Sequence, residues 1–239
     1  MRIAYVAMPW NDVTITRVVQ ETPLDRTFHL ALAGETAFPC TPGQYVIVRD
    51  PAEQPERDWY FSLSGMPTAD GALRVTVRGR GDAVGRIYDA AVGTRWTVQR
   101  PAGDFHVVGP RGEAVVLAAA GSGVTPFRAF VEQRLHAECA DPVWLFHSAK
   151  RAAELLFHEE FRAWAAAHEA FHYVPTVTGE DDAWTGRRGR LDGDALRPAL
   201  GAPETARVYA CGPGPFVDSA LEVAATLGVP EARRLRERW

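Results

Sequence analysis

In the first part of the chain, apolar and polar positions alternate in short runs: TITRVVQ (14–20), TFHLALA (27–33), QYVIV (44–48), WYFSLS (59–64), LRVTVRG (73–79) and RWTVQ (95–99), separated by turn residues. Period-two alternation at this spacing predicts half-buried strands of an antiparallel barrel or sandwich. One short helix is expected, around Asp82 to Ala91. From Ala114 the rhythm changes. The apolar runs AVVLAAA (114–120), PVWLFHS (142–148), FHYVPTVT (171–178) and RVYAC (207–211) alternate with the amphipathic stretches FRAFVEQRLHAE (127–138), AAELLFHEEFRAWAAAHE (152–169) and PFVDSALEVAATLG (215–228). Continuous apolar strands alternating with amphipathic helices predict a parallel sheet covered on both faces. The expected organisation is an N-terminal antiparallel β-barrel, residues 1–109, and a C-terminal α/β parallel-sheet domain, residues 110–239, with the boundary at Gly109, Pro110 and Gly112.

Composition narrows the classes. A chain of 239 residues suits two domains of about 100 to 150 residues. Its net charge of −4 leaves no broad basic face, so a nucleic-acid partner is not expected. The opening MRIAYVAMPWND meets an acidic residue too early for a secretory leader. No run reaches the roughly 18 apolar residues of a membrane span, and a cytoplasmic location is expected. Cys40, Cys139 and Cys211 are isolated in sequence, and no HExxH pair occurs. Neither a metal site nor an iron–sulfur cluster is expected, and His158, Glu159 and Glu160 fit a helix surface.

The chemistry concentrates at strand ends. AVVLAAA running into GSGVTPFRAF sets Gly121 and Gly123 at the end of a buried strand, and Thr125 and Pro126 where a helix begins. Glycine permits a tight turn and close backbone approach, and proline in the first helical turn removes an N–H that has no helical partner. The free amides and positive dipole end of such a helix form a cradle for phosphate. In open parallel sheets ligands sit at the carboxyl ends of the strands. A bare strand-to-helix connection would look the same at this one turn. RVYACGPGPFVDSA repeats the arrangement, with Cys211, Gly212 and Pro213 closing a second apolar strand. A free cysteine is commonly just a small buried hydrophobe; at a strand end beside a cleft, Cys211 becomes a candidate contact.

Taken in order, GQYVIV, YFSLS, PAGDF, GSGVTP, WTGRRGR, YACGP and the terminal RERW resemble the ferredoxin–NADP reductase-like superfamily of flavin- and NAD(P)H-dependent reductases. The resemblance covers nearly the whole chain. It implies a flavin-binding barrel followed by an NAD(P)-binding domain, with FAD, or alternatively FMN, as flavin and NADPH or NADH as reductant. Carried onto this sequence, it implies that Phe61 packs against the isoalloxazine, that Ser62 hydrogen-bonds near flavin N5, and that Leu63 and Ser64 continue the flavin strand. Thr76, Val77 and Arg78 would follow the flavin's polar edge and tail, and Gly85, Arg86, Ile87 and Tyr88 would form the short helix that receives its phosphate. Gly121, Gly123, Thr125 and Pro126 would line the pyridine nucleotide, Cys211, Gly212 and Pro213 would border nicotinamide, and Glu237 and Trp239 would lie near the flavin ring.

In such a site the cofactors carry the hydride, and the protein holds donor and acceptor roughly 3 to 3.5 Å apart with water excluded. The implied catalytic residues are Ser62, which stabilises changing charge at N5, Glu237, which moves protons, Trp239, which covers the ring, and Cys211 at the nicotinamide. Ser148, Lys150 and Arg151 follow the second strand of the nucleotide domain, where the family reads the adenosine ribose. Their charge suits a 2′-phosphate, which favours NADPH over NADH; the alternative is that Lys150 and Arg151 merely open an amphipathic helix. Thr176 and Thr178 are lesser candidates, and Trp184 through Arg190 are expected to order the adjoining loop.

Two positions depart from the family pattern. An arginine that neutralises the flavin phosphate normally stands where this chain has Trp59, followed by Tyr60; Arg57, Arg78 and Arg86 are the candidate substitutes. Tyr88 occupies a position commonly Ser or Thr. Two lost charge-assisted bonds of about 1.5 to 3 kcal/mol each would weaken flavin binding by roughly 10² to 10⁴-fold. Three readings follow: a reductase with bound flavin serving a separate ferredoxin or oxygenase component, with no fused iron–sulfur module; a flavin reductase that takes free flavin as substrate; or a non-redox ligand-binding or natural-product-type enzyme on this scaffold with altered or structural flavin binding.

Overall fold

The computed structural model describes residues 9–34, 38–53, 55–69, 71–79, 85–109 and 111–238. Trp239, Pro110 and the expected helical residues 82–84 lie outside them.

The alternating runs form β1 (Asn11–Thr22), β2 (Asp25–Leu32), β3 (Tyr45–Arg49), β4 (Trp59–Ser62), β5 (Leu73–Arg78) and β6 (Arg95–Val98), with α1 (Gly85–Tyr88) between β5 and β6. They build one antiparallel sheet in the order β4-β3-β6-β1-β2-β5. A bridge between Leu63 and Val75 joins the two ends of that order. The Ser64 N–H adds a bond to the Arg74 carbonyl at 2.9 Å, so the sheet curls closed. Its interior is the buried face of the alternation, including Ile15, Phe28, Val46, Val75 and Trp96.

The second sheet contains β7 (Val115–Ala120), β8 (Val143–Ala149), β9 (Phe171–Val177), β10 (Arg187–Arg188), β11 (Arg207–Gly212) and β12 (Arg234–Arg238). All its pairings are parallel, in the order β10-β9-β8-β7-β11-β12. The helices α2 (Thr125–His136), α3 (His158–Ala167), α4 (Gly193–Leu200) and α5 (Gly214–Thr226) complete this half. One core includes Leu117, Phe127, Phe130 and Phe161 under α2 and α3, and the other includes Val116, Leu196, Val217 and Leu221 under α4 and α5. Both faces are covered, as the apolar strands require.

Three local features differ from the expected elements. The stretch 152–169 is not one helix: Ala152–Glu154 is a 3-10 turn, and Phe157, at φ 61, interrupts the chain before α3 starts at His158. Left-handed backbone at a bulky residue cannot continue a helix. Arg151 therefore opens no amphipathic helix. The short α4 was not apparent in the hydrophobic pattern, because Pro198 lies inside it and reads as a breaker; Asp192 caps it by accepting from the Ala195 N–H at 2.9 Å. Between β7 and α2, residues Gly121–Val124 form a 3-10 turn rather than a bare loop.

Candidate active site

The sheet order reverses between β7 and β11, the switch point where parallel sheets leave a crevice beyond their strands' carboxyl ends. A cleft of about 610 Å³ opens there, lined by Gly121 and Ser122 after β7, Ser148 and Lys150 at β8, Pro213 after β11, and Arg78 from the barrel. Gly121 takes φ +57, and a β-carbon on it would lie 2.9 Å from Nη1 of Arg78. Glycine is thus what lets the barrel guanidinium reach the turn. Gly212 closes β11 at φ +147, where a β-carbon would press on Ala120 at 3.2 Å. The Thr125 hydroxyl donates to the Ser122 carbonyl at 2.9 Å and ties the turn to α2.

The cations Arg78, Lys150 and Arg190 face the cleft with one carboxylate, Glu154. Arg78 is held by a bidentate pair, Nε to Asp25 Oδ1 at 2.8 Å and Nη2 to Oδ2 at 2.9 Å, on a carboxylate that is fully buried. The Thr22 hydroxyl donates to the same carboxylate. A carboxylate buried without compensation is costly, and these bonds offset that cost. Beside the cleft, the parallel register sets Cys211 on β11 opposite Glu237 on β12, and the thiol donates to Glu237 Oε2 at 3.7 Å. Burial pushes the Cys211 thiol well up, with the Glu237 charge adding to it, and burial also raises the Glu237 carboxyl.

The expected nucleotide residues divide. Gly121, Ser148, Lys150, Thr178 and Pro213 line the cleft. Gly123, Thr125, Pro126 and Thr176 are buried behind it. Arg151 has a side chain 72% exposed and pairs with Glu154 at 3.7 Å. Ser122, Glu154 and Phe216 line the cleft without having stood out in the sequence; a single serine, glutamate or phenylalanine has no spacing signal. Arg190 lies in the GRRGR run, where Trp184 donates from Nε1 to the Arg187 carbonyl at 2.8 Å and orders the loop.

On the barrel, Trp59 and Phe61 pair with Val48 and Val46 and lie against the core. Tyr60 alternates to the opposite side, 61% exposed and 5.7 Å from the Tyr45 ring, and Ser62 pairs with Tyr45. The Arg57 guanidinium sits 5.1 Å over the Trp59 ring, so a cation stands beside the position where the resemblance leads one to expect an arginine. Trp59 Nε1 donates to Glu53 at 3.0 Å. Arg86 reaches Asp50 at 3.0 Å while its side chain stays 57% exposed. Tyr88 is turned toward β1 and β2: its hydroxyl accepts from Gln20 at 3.1 Å, and Arg26 covers its ring at 4.6 Å. Leu63, Val77 and Ile87 are core residues, and the Thr76 hydroxyl shares a 2.9 Å bond with Thr27. Of Thr76, Val77 and Arg78 on that strand, only Arg78 presents its side chain to the cleft. Ser64 is buried, and its hydroxyl has no hydrogen-bond partner among the described residues.

A closed antiparallel barrel joined to a parallel sheet with a cationic cleft at its switch point defines a two-domain nucleotide-binding class. Residues 117–222 match the family described as Oxidoreductase NAD-binding domain. The chain is 33% identical over 244 residues to a flavohemoprotein of Deinococcus radiodurans, covering 95% of this chain and 59% of that protein. It is 30% identical over 234 residues to the ferredoxin reductase component of a 3-ketosteroid-9-alpha-monooxygenase of Rhodococcus rhodochrous, covering 92% and 62%. It thus spans about three-fifths of each relative's length. The flavohem-like FAD/NAD binding domain of nitric oxide dioxygenase from Vibrio cholerae superposes with a TM-score of 0.84 at 22% identity, over 96% of this chain and 98% of that one. Residues 117–222 thus carry the Oxidoreductase NAD-binding domain, and the chain shares the two-domain fold of that FAD/NAD binding domain.

Proposed function

We propose that this chain is a flavin-dependent NAD(P)H oxidoreductase whose residues 1–109 hold flavin and whose residues 110–239 hold the nicotinamide nucleotide. The observation that carries the reading is the cationic cleft at the β7–β11 switch point, built from both halves of the molecule. FAD is the preferred flavin, supported by the FAD/NAD binding domain that shares the fold. Lys150 and Arg190, both in the cleft, support NADPH as the preferred reductant. The electrons leave to a separate acceptor, a ferredoxin or an oxygenase component, as the reductase component among the relatives suggests. A cytoplasmic setting accords with three cysteines that are all free thiols.

When bound, flavin and nicotinamide supply the hydride chemistry. The chain's residues bind, orient and manage protons. Amides of the 121–124 turn and the cations Arg78 and Lys150 bind phosphate. Cys211 and Gly212 border the nicotinamide, and Glu237, protonated to higher pH than an exposed glutamate, exchanges a proton with the Cys211 side of the cleft. Arg57 and Arg86 offer charge to the flavin phosphate, and the unpartnered Ser64 hydroxyl offers a hydrogen bond along the flavin strand.

Trp59 favours one second reading, that flavin is a loosely held substrate. Desalted protein assayed for NADPH oxidation against an artificial one-electron acceptor, with and without added FAD, separates the two. Turnover without added FAD supports a resident flavin, turnover only with it supports the second reading, and none in either case overturns both.

A further inference from the structure

Behind the 121–124 turn lies a row of polar side chains, His147 buried and Tyr173 and His158 half-buried. His147 on β8 has no exposed surface. Its Nε2 is 3.3 Å from the Gly121 carbonyl oxygen, and its Nδ1 is 3.4 Å from the Tyr173 hydroxyl on β9. That hydroxyl is in turn 3.1 Å from Nδ1 of His158, the first residue of α3.

The donors and acceptors follow from one another. Burial holds the His147 imidazole down to about 3, so it is neutral at physiological pH and carries one proton. A carbonyl only accepts, so that proton is on Nε2 and points to Gly121. Nδ1 is then an acceptor, and the Tyr173 hydroxyl must donate to it. The tyrosine oxygen remains to accept, and it takes the Nδ1 proton of His158. The chain runs one way, from the edge of α3 to the phosphate turn, with a single consistent set of tautomers. His158 stands at a helix N-terminus, where a positive charge is disfavoured, and burial lowers its imidazole as well.

The trans peptide is planar, with its C=O and N–H pointing in opposite directions. A Gly121 carbonyl drawn inward onto His147 therefore turns the N–H of the same peptide, that of Ser122, outward. Ser122 lines the cleft, and an N–H at the start of a helical turn has no helical partner. We infer that His147, Tyr173 and His158 are positioning residues that fix the Gly121–Ser122 peptide plane and so aim the Ser122 N–H at the nucleotide's diphosphate. None of the three touches the ligand. The inference rests on the nucleotide reading above and adds the device that presets its phosphate donor.

The test measures binding of NADP⁺ and NAD⁺ to the full chain by calorimetry, in wild type and in His147→Leu, His147→Gln and Tyr173→Phe. Glutamine keeps an N–H near the position of Nε2, and leucine does not. The tighter nucleotide is expected to bind about 10-fold more weakly to His147→Leu, the scale of one charge-assisted hydrogen bond, and within about twofold of wild type to His147→Gln. In ¹⁵N-histidine spectra of wild type, His147 should be the Nε2–H tautomer, and Tyr173→Phe should keep it, since the Gly121 carbonyl sets it, while the Nδ1 resonance shifts on losing its donor. Equal affinity in the leucine and glutamine variants, or an Nδ1–H tautomer in wild type, overturns the relay alone. A wild type that binds neither nucleotide overturns the nucleotide reading with it.

Discussion

At position 59 the proposed flavin site is most open to test. The Trp59 indole lies on the barrel core, donates to Glu53 and carries the Arg57 guanidinium at 5.1 Å. In the proposed flavin site Arg57 would substitute only in part for an arginine at position 59, because a stacked guanidinium is not aimed as a bidentate fork. Trp59→Arg is expected to tighten FAD binding about 10-fold or more by calorimetry. Unchanged affinity would mean that Arg57 or Arg86 already meets the phosphate. Glu237 makes a prediction of opposite sign for stability and activity. Burial raises its carboxyl, so the native state keeps the proton to higher pH than the unfolded chain. Stability is full below the ordinary carboxylate range and falls as pH rises through the raised native value. Glu237→Gln should therefore melt at or above wild type at pH 8, with the gap closing as pH falls into the carboxylate range, while NAD(P)H-dependent turnover drops. A variant that is less stable at pH 8 contradicts this account.

Among the elements, α2 joins the two halves. Its Arg128, 8% exposed, donates to the Ser64 carbonyl of the barrel at 2.6 Å and forks onto Glu160 of α3 at 2.7 Å. One turn on, Glu132 pairs with Arg74 of β5 and accepts from the Met66 N–H at 2.9 Å. Arg128→Ala leaves Glu160 and the Ser64 carbonyl without this partner and should cost about 1.5 to 3 kcal/mol in denaturant unfolding. Arg162→Ala, on the exposed Glu159 pair, should stay within about 0.5 kcal/mol. Equal losses would remove α2 as the joint. The barrel strands and most helices were legible in the sequence because each has a single buried face with one period, and the parallel strands because they are continuous apolar runs between helices. The start of α3 was not, since Phe157's left-handed backbone is imposed by packing, and α4 was not, since Pro198 hides a helix that Asp192 caps. In the site, glycines and strand-end motifs marked Gly121, Gly212 and Cys211. Ser122, Glu154 and the pairing of His147 with Tyr173 come only from the register of neighbouring strands and the turn's path. Arg78 was expected along the flavin tail, and its reach to Gly121 depends on how the barrel meets the second sheet.

At the scale of the molecule, the two sheets are locked around one cleft. Phe105, leaving the barrel, lies 6.2 Å from Phe127 of α2 and 5.9 Å from Tyr209 of β11, and the Tyr209 hydroxyl donates to the Val108 carbonyl at 3.0 Å. Arg78 crosses the same boundary from β5 to the phosphate turn. Among the described residues no helix is long and apolar enough to cross a membrane, and no cluster of residues could hold a metal ion. In the proposed function the halves work as a pair, passing a hydride between nucleotide and flavin across this boundary. Anaerobic addition of NADPH, and separately NADH, to the protein with stoichiometric FAD tests it most directly through the visible flavin absorbance. The account predicts rapid bleaching, faster with NADPH, and slowed in Arg78→Ala. Flavin that binds and stays oxidised with both nucleotides would contradict it.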